Sequence, residues 1–344
     1  MNIIQLTHLH IAAILSFETS KEALETTIND PKFDWDIMVI EASKHLVLPT
    51  LYCRLKAKEL LHILPKDLVV YLKEITTINR QRNLRLLQQV NSITHILNKH
   101  NISHVFLKGS ALLASGHYLD KGERMIGDID ILIEKKDLSK TFDILKNSGY
   151  SKTIGFAYTE KDHRHLDRLI SDQELAAIEL HSDLFHKKNR SILTMDNILK
   201  SKRIINNIAI PNTKYFSLHI MLNWQLNDRG HYYNTISLKS IYDFIILNSD
   251  KSQESIKSIM SLKYGQSYLA LASYYFQDYS NITCNRYMSY RIGIHKLLSK
   301  YKWLNILVYF LKYNTNYIGN RLYLIATNKS YRKHLIQKKI KLIR

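Results

Sequence analysis

The stretch Arg124-Met-Ile-Gly-Asp128-Ile-Asp130-Ile-Leu-Ile133 sets the reading of the whole chain. Its second half has the aliphatic, β-branched texture of a buried strand. Side chains alternate faces along a strand, so Asp128 and Asp130 project to one side while Ile129 and Ile131 enter a core. Two carboxylates side by side repel each other unless a cation lies between them. Hard divalent ions such as Mg²⁺ prefer oxygen ligands and leave the remaining positions to water or substrate phosphates. An Asp-x-Asp pair also describes two solvated acids on an edge strand, so its surroundings decide.

Upstream, residues 102–107 form a second short β-rich run, followed by Lys108, Gly109, Ser110 and a helix-prone segment at 111–115. A Gly-Ser pair between strand and helix offers free backbone N–H groups to an anion, and the glycine lets a phosphate come close. It is equally a plain turn with a serine cap. Downstream, residues 137–147 predict an amphipathic helix stopped by Gly149, and residues 165–170 and 176–181 predict two further strands. In the last of these, Glu179 and His181 share a face opposite Ile178 and Leu180. If that strand lies beside the Asp strand, Glu179 is a third carboxylate of one metal cluster, and His181 can orient a carboxylate or pack structurally. Arg124 stands ready to contact phosphate, with a surface arginine as its plain alternative. Strand, helix, strand, helix, strand, strand makes a small α/β module.

Helical texture surrounds this module. Residues 36–64 carry helical apolar spacing, with Pro49 expected to break or kink the pattern, and residues 67–76 and 84–97 predict two more helices. After about residue 192 the pattern is helical to residue 344. The expectation is an α/β (α+β) fold with three parts: an N-terminal helical region (1–100), a mixed-sheet core (101–190) and a C-terminal helical region (191–344).

Charge is distributed unevenly. The chain has 344 residues, 49 Lys+Arg and 30 Asp+Glu, a formal net charge of +19. Residues 279–344 contain 14 Lys/Arg and no acid, so residues 1–278 hold 35 basic against 30 acidic groups. The excess is therefore a property of the tail, not of the Asp-bearing module. Nine tyrosines, Trp303 and Phe310 are interleaved with those basic residues. That mixture suits a single-stranded nucleic acid, where phosphates meet charge and bases stack on rings. It equally suits an interfacial helix on an anionic membrane over residues 297–311, or a solvated lysine-rich helical end.

Several classes are excluded. Two cysteines, Cys53 and Cys284, supply neither a disulfide framework nor a zinc site by themselves. The first 22 residues lack a basic n-region, and His8 and His10 interrupt their apolar stretch, so a cytoplasmic location is expected. The longest apolar run, residues 303–311, includes Asn305 and falls far short of a membrane span. No G-x-x-x-x-G-K-[ST] or G-x-G-x-x-G motif is present. His163 and His165 form an H-x-H without partners at metal-ligand spacing and are read as surface residues.

The Gly-Ser, Asp-x-Asp and downstream-carboxylate arrangement resembles the DNA polymerase beta-type nucleotidyltransferase superfamily. More closely, Leu107-Lys108-Gly109, Arg124-x-x-x-Asp128-Ile-Asp130-Ile-Leu-Ile133 and Gly149-Tyr150 resemble a large, poorly characterised bacterial nucleotidyltransferase family. His45 to Tyr52 (HLVLPTLY), Ile178-Glu-Leu-His181, Leu218-His-Ile-Met-Leu222 and Leu238-Lys-Ser-Ile-Tyr-Asp243 follow in that family's order. The likeness covers about residues 40–250. Glu179 stands where members often have Asp, seventeen residues separate Ser110 from Asp128, and Asn223 replaces an expected second histidine.

The resemblance implies Mg²⁺ (or Mn²⁺) on Asp128, Asp130 and Glu179. It implies an NTP whose phosphates meet Gly109, Ser110, Lys108 and Arg124, and transfer of NMP to an acceptor hydroxyl with release of pyrophosphate. His181 would stand behind the carboxylates. RNA 3′ ends, a small-molecule hydroxyl and a protein hydroxyl all meet this chemistry as acceptor. The rival reading is a non-catalytic scaffold that binds nucleic acid through its basic tail.

Overall fold

A computed structural model of the chain describes residues 2–31, 33–155, 158, 165–248 and 253–342. Five helices come first: α1 (Ile3–Leu15), α2 (Lys21–Ile28), α3 (Trp35–Lys44), α4 (Leu48–Ala57) and α5 (Lys66–Lys99). The α3–α4 break falls at residues 45–47, where Leu46 takes a φ of 56°. Pro49 is not the kink: it sits in the first turn of α4, where its missing N–H costs no helical bond. The two helices expected at 67–76 and 84–97 are one continuous 34-residue α5. Its buried face is Leu86, Val90, Ile93 and Leu97, while Leu84 is exposed.

The core follows as β1 (His104–Phe106), α6 (Lys108–Ala114), β2 (Ile129–Ile133), α7 (Leu138–Asn147), β3 (Lys152–Ile154), β4 (Arg168–Ile170) and β5 (Ile178–His181). These strands make one mixed sheet in the order β1-β2-β5-β4-β3. Only β2 and β5 run parallel; the other pairs are antiparallel. All side chains of β2 and β5 are buried, so both strands are interior to the sheet and to the protein. Helix α6 packs on β2, and α5 packs against both α6 and α7. Gly149 ends α7 with a φ of 106°, a left-handed conformation that a side chain resists.

The C-terminal half holds α8 (Met195–Lys200), β6 (Arg203–Ile205), β7 (Ile208–Ile210), α9 (Thr213–Leu222), α10 (Gly230–Tyr233), α11 (Leu238–Leu247), α12 (Gln253–Met260), α13 (Lys263–Tyr275), α14 (Arg286–Lys300), α15 (Lys302–Thr327) and α16 (Lys329–Leu342). The β6–β7 hairpin corrects the expectation of helix throughout this half. It turns on Asn206 and Asn207, at φ 46° and 66°. Paired left-handed residues match the twist of a two-residue hairpin, and asparagine tolerates them well. Strand β7 is fully buried against β1 and α6, which locks the hairpin to the core. The architecture is thus a mixed-sheet core with helical flanks.

Candidate active site

Parallel pairing of β2 with β5 decides the site, because it sets Asp130 directly opposite Glu179 and Leu132 opposite His181. The cluster is buried: Asp130 is 1% exposed, His181 2% and Glu179 5%. His181 Nε2 lies 2.7 Å from Asp130 Oδ1 and 3.5 Å from Glu179 Oε2. One ligand atom from each of these three residues lies within 4.8 Å of the others. Asp128, just ahead of β2, is more open, its side chain 35% exposed.

Two cations neutralise the acids. Lys108 Nζ lies 2.6 Å from Asp130 Oδ1. Arg168 on β4 donates through Nε to Glu179 Oε1 and reaches Asp128 Oδ2 at 3.5 Å. Burial alone would raise the Asp130 carboxyl, but the Lys108 ammonium and the His181 hydrogen bond hold it well below the usual range. Glu179 likewise resists burial, held down to about 2 chiefly by His181, with Arg168 assisting against the opposing charge of Asp130. Asp128 goes the other way, raised by burial and by the negative charge of Asp130. Lys108 keeps its proton more firmly than a free lysine, because Asp130 outweighs its own burial.

Lys108 is the first residue of α6 and has a φ of 48°, an uncommon conformation for a side-chain-bearing residue. That twist turns the chain out of β1 and brings the ammonium to the acids. Gly109 is packed tightly: a Cβ there would stand 3.1 Å from Ile126 Cγ2 and 3.5 Å from the Arg124 guanidinium. A side chain there would require Ile126 to give way by a few tenths of an ångström. Ser110 is fully buried, and its hydroxyl donates to the Leu107 carbonyl at 2.9 Å. The first N–H groups of α6 have no acceptor within the helix, as at any helix start.

Arg124 is buried and gripped by α11. Its Nε and second terminal nitrogen donate to the two oxygens of Asp243 at 2.7 and 2.8 Å, and its other nitrogen donates to the Met125 carbonyl. Tyr118 also donates to Asp243. His219, on α9, lies near the ring of Phe185, at 6.1 Å between centroids. His165 bridges to His181 across the sheet and stacks obliquely on it at 5.2 Å; His163 lies outside the described residues.

Beside Lys108 and Arg124 opens a pocket of about 350 Å³ whose walls also include Asn223, Trp224, Asp228 and Lys239. Lys239 is half-buried, and burial followed by the charge of Arg124 lowers its pKa. No hydrogen bond or salt bridge to a described residue holds its ammonium. Sequence reading did not single out Lys239 or Arg168. Arg168 lay in a segment read as strand, but its position opposite the acids depends on register, which the sequence leaves open.

The donor set of two buried carboxylate oxygens and an imidazole, with a third carboxylate near, fits a divalent cation. Lys108 and Arg168 supply the positive charge that such an ion would bring. The chain belongs to a family described as uncharacterised nucleotidyltransferase, whose model matches residues 31–261. No curated protein matches the chain.

Proposed function

We propose that this protein is a divalent-metal-dependent nucleotidyltransferase that moves the NMP of an NTP onto an acceptor hydroxyl and releases pyrophosphate. The observation that carries the reading is the register of β2 and β5, which joins Asp130, Glu179 and His181 in one buried cluster beside Asp128.

Asp128, Asp130 and Glu179 would hold Mg²⁺ or Mn²⁺. Bound there, the metal supplies neutralising charge for the triphosphate and acidity for the acceptor hydroxyl. The protein's own groups do the positioning. His181 fixes Asp130 and Arg168 fixes Glu179, so both carboxylates are held in place before substrate arrives. Lys108 is tied to Asp130 but retains access to the neighbouring pocket, so its ammonium can pass to a phosphate oxygen. Gly109 and Ser110, in the first turn of α6, would contribute backbone N–H groups rather than the Ser110 hydroxyl, which is bonded to the Leu107 carbonyl. Arg124 adds positive field to the pocket while Asp243 fixes its guanidinium. Lys239 enters from the C-terminal helices as an uncommitted phosphate donor.

The test is transfer from each α-labelled NTP, with Mg²⁺ or Mn²⁺, to RNA, protein and small-molecule fractions of a cell extract. Label should appear in one fraction, and Asp130→Asn should abolish it. No transfer under any combination, or full transfer by Asp130→Asn, rejects the proposal.

A further inference from the structure

Helix α15 leaves most of its apolar surface uncovered. Of its 26 residues only Leu324 is buried. Trp303, Ile306, Leu307, Phe310, Ile318 and Ile325 are each between 43% and 66% exposed. At 3.6 residues per turn these six fall within one third of the helix circumference. Residues 303–325 carry this stripe over about 33 Å of helix. Lys312 lies on the opposite side and pins the helix to the body: its Nζ donates to the Tyr232 carbonyl at 2.8 Å, and Tyr232 donates back to the Lys312 carbonyl at 3.2 Å. Tyr309 stacks on Tyr233 at 4.9 Å. The stripe therefore faces outward because the helix is anchored by its other face. Asn314 and Arg321 interrupt the stripe and the buried Leu324 lies at its edge, but soluble monomers rarely expose this many apolar side chains along one helix face without a partner for them.

We propose that α15 is a peripheral docking surface for an anionic lipid bilayer. Charge selects this partner. Residues 279–344 bring 14 Lys/Arg and no acid, six of them within residues 329–341 directly after α15. Apolar side chains flanked by cations are what an interface of acyl chains and anionic headgroups accepts. Arg321, in line with the stripe, lies 4.2 Å over the Tyr317 ring, an aromatic–cation pair suited to headgroup depth. A second copy of the chain would set one acid-free tail against another, with like charges opposed. RNA fits less well, since four of the six stripe residues are aliphatic and offer no ring for a base. The helix lies on the surface rather than through it: no described helix is long and apolar enough to cross a membrane.

The test uses the full chain with vesicles of phosphatidylcholine alone and of phosphatidylcholine with phosphatidylserine. Co-sedimentation should require the anionic lipid and weaken as salt is raised. The variant W303E/I306E/F310E changes only exposed side chains, and its circular dichroism and melting curve should match the parent. Its vesicle binding should fall by at least about tenfold. Equal binding to neutral vesicles, or unchanged binding by the variant, overturns the proposal. So does a parent that binds no vesicle but loses a dimer or an RNA complex on this substitution, which would assign the stripe to those partners. None of these readouts depends on nucleotidyl transfer.

Discussion

Glu123 is a buried carboxyl, one residue before Arg124, that accepts a hydrogen bond from Tyr242. It forms part of the wall of a cavity of about 750 Å³ between α4, α11 and the loop before β2. Burial dominates the Tyr242 contact and raises its pKa from 4.5 to about 7. The folded protein thus keeps a proton that the unfolded chain has released. Stability from this group falls as pH rises from about 4.5 to about 7 and is level outside that window, by on the order of 3 kcal/mol. Glu123→Gln retains an acceptor for Tyr242 and cannot ionise. Urea unfolding of both proteins should give similar stabilities at pH 4.5, with the variant the more stable at pH 8. A parent-minus-variant difference that does not move with pH would show Glu123 to be ionised in the fold.

At the scale of elements, the loop that delivers Asp128 is held by α5. Asn79 and Asn83, one turn apart, both donate to the Arg124 carbonyl, and they also hold Gly122 and Lys121 respectively. Asn83 is fully buried. Asn83→Ala would strand the part-buried Lys121 carbonyl and leave the Arg124 carbonyl to Asn79 alone, and should cost about 1–3 kcal/mol in denaturant unfolding. Loss of under a few tenths would mean the loop stands without α5. These asparagines show what was legible in the chain and what was not. The strand of Asp130, the strand of Glu179 and the helices on either side follow from apolar periodicity, a local signal. Polar residues on a helix read as solvent-facing, and nothing local says that Asn79 and Asn83 meet a distant loop. Likewise β3 and β6 are three-residue strands with exposed or half-exposed side chains, too short for alternation to register. The β6–β7 turn did carry a local sign, two asparagines between isoleucines, which the helical texture around it concealed.

Across the whole molecule, the acidic cluster belongs to the core and the pocket beside it is shared with the C-terminal helices, joined by the buried Arg124–Asp243 pair. That division explains why the clustered acids were readable and Lys239 was not. Closely spaced carboxylates mark a strand locally, whereas Lys239 gains meaning only when α11 is laid against Lys108 and Arg124. Lys44, Lys108 and Arg124 in that wall are each paired with an acid. Lys239 has no such partner among the described residues and is disfavoured by burial and by Arg124, a cost that a polyphosphate relieves. Binding should therefore stabilise the entire chain. At a hundredfold excess over Kd, MgATP or its best NTP substitute adds about 2.7 kcal/mol, roughly 4 °C in Tm for a chain of this length. Lys239→Met keeps the stem's packing and removes the charge, so the Tm without nucleotide should hold or rise slightly. A lost charge-assisted phosphate contact of ~1.5–3 kcal/mol weakens affinity by about 10–100-fold. The nucleotide-induced shift at the same concentration should then drop to about half or less. An undiminished shift in Lys239→Met would remove Lys239 from the phosphate site, while a fall in the ligand-free Tm would make it a structural lysine instead.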